Sequence, residues 1–131
     1  MTMTQGYFSH LCYCNGKYYS KHIIYVNKGN TAIEIVPFTH ETPHTIFCDG
    51  ILLVVSENFE TEKETFISSL HQYLTTHPHD TIVDAINKSE IVDRHHIAPH
   101  SDYNLYTLTP IEWQSKRPTE ITALRIERID I

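Results

Sequence analysis

Three turn signals in the first fifty residues do most to limit what this chain can become. Asn15-Gly16, Asn27-Lys28-Gly29-Asn30 and Asp49-Gly50 place residues that tolerate positive φ between runs of good strand formers. The runs are Tyr7 to Cys14, Tyr18 to Val26, Thr31 to Val36, Thr45 to Cys48 and Ile51 to Val55. The third run alternates, setting Ala32 and Glu34 on one face and Ile33 and Ile35 on the other. Pro37 and Pro43 bracket a loop. Four or five short strands this close together predict a meander or a small barrel-like sheet.

The period then changes. Thr61 followed by Glu64 has the form of a capping box, and Glu60, Glu62 and Glu64 suit the positive end of a helix dipole. Phe66, Ile67, Leu70, Tyr73 and Leu74 recur at helical spacing, so one face of this helix packs on the sheet. Pro78 stops it. Asp80 is placed to cap a shorter helix carrying Ile82, Val83, Ala85 and Ile86. Arg94 to Asp102 is a polar, histidine-rich loop. Strand chemistry returns at Leu105-Tyr106-Thr107-Leu108 and again from Leu124 through Ile126 and Ile129 to Ile131.

This order predicts an α+β fold: a small β-sandwich or barrel-like sheet with a two-helix insert before the C-terminal strands. A chain of 131 residues fits a single domain over 1–131, since a second would leave both pieces short of core. Within it, 1–56 form the β-meander, 57–93 the helical insert and 103–131 the returning strands. A domain of this size buries roughly two-thirds of its unfolded surface, so it needs no metal or disulfide to fold.

Charge narrows the partners. Ten Lys and Arg against sixteen Asp and Glu give a formal −6, and Lys116-Arg117 is the longest basic cluster. Nucleic acid is therefore not an expected partner, because backbone binding needs clustered positive charge. Ten histidines would carry the net charge from negative to positive as the pH falls from about 7.5 to about 5.5. The longest apolar run, Gly50 to Val55, is far below the roughly twenty residues of a membrane span. Met1 to His10 is polar, without the apolar core of a signal peptide. The cysteines, Cys12, Cys14 and Cys48, are odd in number, unlike a secreted disulfide framework. A cytoplasmic location is expected.

Several constellations invite a chemical reading. His77-Pro78-His79-Asp80, with His95, His96 and His100 nearby in sequence, offers nitrogen ligands and a carboxylate from Asp80 or Asp102, but the spacing matches no closed zinc motif. Cys12 and Cys14 lie two residues apart on a strand, so they share a face as small buried thiols. There is no Gly-x-Ser-x-Gly and no Gly-rich loop to cradle phosphate. Tyr7, Phe8, Tyr13, Tyr18, Tyr19 and Tyr25 crowd the first hairpin. They either complete a two-sided sheet or present an aromatic binding face. No residue is assigned a catalytic, cofactor-binding or metal-binding role, and no cofactor is expected.

The residues Ile23-Ile24-Tyr25-Val26, Lys28-Gly29-Asn30, Ile33 to Phe38, and Thr45 to Leu52 are similar to a segment of a known family. The stretch from Gly16 to Val55 resembles the composite domain, the N-terminal β-sandwich, of the amidohydrolase superfamily of metal-dependent hydrolases. Tyr103 to Leu108 and Ala123 to Ile131 resemble the strands that return to that domain after the family's catalytic barrel. In that family the Asp-Gly strand leads into Pro-Gly-Phe and a metal-binding His-x-His. Here Val54-Val55-Ser56-Glu57-Asn58-Phe59 follows, without a histidine pair. Some 250 residues would be needed for the barrel, and about fifty separate Val55 from Leu105. The resemblance thus implies the β-domain without the hydrolase, and no functional residue carries over.

A non-catalytic domain that docks on a protein partner or self-associates is the function expected first. A metal protein using the His77–His100 loop, or a small-molecule module with a tyrosine-lined pocket between sheet and helix, are the alternatives.

Overall fold

A computed structural model describes residues 4–27, 32–39, 45–99 and 101–130. The Lys28-Gly29-Asn30 turn, Thr31, Pro43, His100 and Ile131 lie outside them. Seven strands join in one sheet: β1 (Thr4–Cys14), β2 (Lys17–Asn27), β3 (Ile33–Pro37), β4 (Thr45–Phe47), β5 (Ile51–Ser56), β6 (Tyr103–Thr109) and β7 (Arg125–Ile129). Helices α1 (Lys63–Thr76) and α2 (Ile82–Ser89) lie between β5 and β6. This is the expected α+β arrangement, with two helices inserted before the C-terminal strands.

The sheet order is β3-β2-β1-β5-β6-β7. Asn15-Gly16 closes the β1–β2 hairpin, with Asn15 at φ 49° and Gly16 at φ 81°, and β3 extends it as an antiparallel meander. The chain then crosses to the other edge of β1 and runs parallel to it. Gly6, Tyr7 and Phe8 pair with β4, whereas Leu11 to Cys14 pair with β5. Asp49-Gly50 therefore joins two strands that succeed each other along one edge, where the sequence suggests a tight reversal. Gly50 has φ 79°, and a Cβ there would lie 2.1 Å from the Leu108 carbonyl oxygen. Only glycine fits this bend.

Ser9 sits where β1 changes partner. It is 1% exposed; its hydroxyl donates to the Gly50 carbonyl at 2.6 Å and accepts from the Leu11 N–H at 3.2 Å. At the same level the β1–β2 pairing passes from Ser9–His22 to Leu11–Ser20, omitting His10 and Lys21, and Lys21 has φ 57°. The kink reverses the alternation of side chains. Tyr7 packs on one face of the sheet and Tyr13 on the other, although unbroken two-residue alternation would align them.

Each face has its own core. Ile51, Leu53, Val55, Tyr106 and Leu108 pack against Phe66, Leu70 and Leu74 of α1 and Ile82, Ala85 and Ile86 of α2. Tyr7, Cys12, Cys14, Ile24, Val26, Leu52, Val54, Tyr103 and Leu105 form the second cluster, against which no described helix packs. The sheet curls instead: Ile33 and Ile35 of β3 and Ile129 of β7 pack on this one cluster, and the Tyr103 hydroxyl donates to the Ala32 carbonyl at 2.6 Å. β5, wholly apolar from Ile51 to Val55 and fully buried there, contributes to both cores, as β1 and β6 do. Burying each such side chain contributes roughly 1.5–3 kcal/mol.

The helix starts differ from the sequence reading. Thr61 does not cap α1; it ends a 3-10 turn over Glu57–Thr61, and its hydroxyl donates to the Asn58 carbonyl. Glu62 occupies the cap position without a side-chain capping bond. The extra turn explains the shift, because it delivers Phe59 into the core before α1 begins. The capping box forms instead at α2, between Thr81 and Asp84, one residue beyond Asp80. Among the described residues no helix is long and apolar enough to cross a membrane.

Candidate functional site

β4 carries the exposed apolar side chains of the sheet. Its Ile46 and Phe47 are 48% and 56% exposed, the exposed large hydrophobics among the described residues. Cys48 N–H donates to the Phe8 carbonyl of β1 at 2.8 Å. Alternation along the strand then turns the N–H and C=O of Phe47 away from β1. Among the described residues no strand pairs with that outer edge. β6, which flanks β5, ends at Thr109, and Pro110 has no N–H with which to continue a ladder.

The two faces of this edge differ. On one, Phe47 stacks edge-on against Phe8 at 5.3 Å, and Phe8 lies 4.7 Å from Phe38. On the other, Ile46 and Cys48 line a groove of about 640 Å³ together with Thr107, Arg125 and Glu127. That volume lies within the roughly 300–1,000 Å³ of ligand-binding clefts. Burial pushes the Cys48 thiol up to about 11, reinforced by the neighbouring Asp49 carboxylate. It is therefore a neutral lining group at pH 7, as Cys12 and Cys14 are, their thiols also raised by burial.

The other outer strands are defended. β3 carries Glu34 and ends in Pro37, and β7 carries Arg125, Glu127 and Arg128. Charges and proline on an edge oppose the addition of another strand. β4, Thr-Ile-Phe, has neither.

The histidines do not converge. His77 stacks on Tyr73 at the C-terminal end of α1, with ring centroids 4.1 Å apart. His95 is bonded to Glu62 at the opposite end. Between them run the 14 residues of α1, about 21 Å at 1.5 Å per residue. His96 faces the Tyr13 hydroxyl and Asp93, and His79 is exposed. Among the described residues no group of three or more His, Cys, Asp or Glu side chains is placed to hold a metal.

One arrangement escapes sequence reasoning, since its members are far apart in the chain. His95, buried, has Nε2 on Glu62 and Nδ1 3.3 Å from the Ser56 hydroxyl. Glu62 also accepts from Arg94 at 2.6 Å, and these bonds hold its carboxyl below the usual carboxylate range, the His95 bond first. A hydroxyl, an imidazole and a carboxylate in line form the skeleton of a nucleophilic triad. Here the same residues also join backbone to backbone, Ser56 N–H donating to the His95 carbonyl at 2.9 Å. Neither Ser56 nor His95 lines any of the clefts at β4, at Tyr103, between the helices or along β3. The cluster ties the turn before α1 to the segment after α2.

The tyrosines complete the sheet. Tyr7 and Tyr13 are buried on opposite faces, and Tyr18, Tyr19 and Tyr25 are half-buried. Between sheet and helices the first core cluster packs, with Tyr13 and Tyr106 buried in it. Among the described residues Phe47 is the exposed phenylalanine, in a strand of three residues whose sequence signal is apolar character without a charge. No protein-family model, curated protein or solved structure matches this chain.

Proposed function

We propose that this chain is a non-catalytic interaction domain that takes an extended segment of a protein partner along the outer edge of β4. The observation that carries this reading is the contrast between edges: the undefended one carries the exposed Ile46 and Phe47. In strand addition the backbone ladder supplies affinity, and alternate side chains enter sites on either face. Phe47 with Phe8 and Phe38 offers one such site, and the groove beside Ile46 the other.

The composite-domain reading belongs to the same proposal. What supports it is the joining of N-terminal strands β1–β5 and C-terminal strands β6–β7 in one sheet around an insert. Such a domain is a docking platform whether or not a hydrolase accompanies it.

The test is selection of seven-residue peptides from a random displayed library, followed by binding to the wild type and to Phe47→Asp. Binders that lose at least tenfold in affinity on Phe47→Asp, with the melting temperature unchanged, are expected. A library that yields no Phe47-dependent binder overturns the proposal.

A further inference from the structure

The groove beside Ile46 has a charge, and the charge selects the partner. Asp49, Glu127 and Asp130 line it, against Arg125 alone. Arg125 is already engaged, its Nε donating to Glu127 at 2.8 Å. Asp49 and Asp130 are exposed, and no described cation pairs with either. The opposite face of β4 is uncharged and aromatic, built from Phe47, Phe8 and Phe38. A strand laid along β4 points successive side chains alternately to these two faces.

We infer that the segment taken by β4 alternates basic with apolar residues, its lysine or arginine side chains entering the Asp49–Asp130 groove and its apolar ones covering Phe47. This rests on the docking reading and adds the chemistry of the occupant. A second copy of this chain fits less well, because its own formal charge is −6 and like charges across an interface are unfavourable. Complementary charge also steers encounter and fixes register, and it weakens as salt screens it.

Two end-blocked seven-residue peptides test the inference, one alternating lysine with valine and the other glutamate with valine. Calorimetry at low salt would measure each against the wild type, Phe47→Asp, Asp49→Asn and Asp130→Asn. The lysine peptide is expected to bind about tenfold tighter than the glutamate peptide, a margin that narrows at about 0.5 M salt. Either Asn variant reduces the margin, and Phe47→Asp removes binding. Asp130, exposed just beyond β7, provides the variant least able to disturb the fold.

Equal binding of both peptides, lost in Phe47→Asp, would overturn the charge inference and leave the docking site standing. Binding indifferent to Phe47→Asp would overturn both, as would no binding by a monomeric chain. No binding by a chain whose dimer Phe47→Asp dissociates would name a second copy as the occupant and overturn the inference.

Discussion

Ser9 and Glu62 show how single polar side chains fix this structure. Ser9 fills the point where β1 exchanges β4 for β5, and its hydroxyl meets the Gly50 carbonyl at 2.6 Å. Ser9→Ala leaves that carbonyl and the Leu11 N–H without this partner in a buried place. We expect a loss of about 1–3 kcal/mol, read as a shift in the urea midpoint with an unchanged slope. Glu62 acts through charge. Its carboxyl is held below the usual range by His95 and then Arg94, so folding favours the ionised form. The resulting stability is present above the unfolded carboxyl pKa, about 4.3, and is lost as the pH falls through the lower folded value. Glu62→Gln should therefore be less stable than the wild type at pH 7, with the gap closing as the pH falls below the ordinary carboxyl range. Thermal melts across that range would show it; a gap independent of pH would assign the effect to packing instead.

Among the elements, those with strong local signals are the ones the sequence reveals. Asn15-Gly16 closes a hairpin because both residues take positive φ, and Phe66, Leu70 and Leu74 face the core because helical spacing aligns them. Thr61 and Thr81 are a closer case. Each precedes an acidic residue three positions on, yet the box closes at Thr81 alone, because a 3-10 turn carrying Phe59 into the core claims Thr61. Thr81→Ala should cost about 1 kcal/mol, whereas Thr61→Ala should change stability by less than about 0.5 kcal/mol; paired denaturation curves distinguish them. Asp49-Gly50 has the same local chemistry as a hairpin turn. Its role as a bend between β4 and β5 depends on pairing with β1, some forty residues earlier, which no local pattern encodes. The exposure of Ile46 and Phe47 was illegible for the same reason: it follows from where β6 ends.

The whole molecule is a curled sheet with helices over one face and its own outer strands closing the other. Such a design has edges, and two of the three ends in view carry charge or proline. The third, β4, exposes a backbone edge between an aromatic face and an acidic groove. Surface apolar residues set singly need no explanation; adjacent ones on a strand whose outer edge no described strand covers invite another strand. Amide hydrogen exchange at Phe47, measured by NMR in the free chain and with a selected peptide bound, tests this claim most directly. The account predicts fast exchange in the free chain and at least tenfold slower exchange in the complex, because the incoming strand accepts that N–H. A Phe47 amide protected in the free chain, or unchanged by a bound peptide, would contradict it.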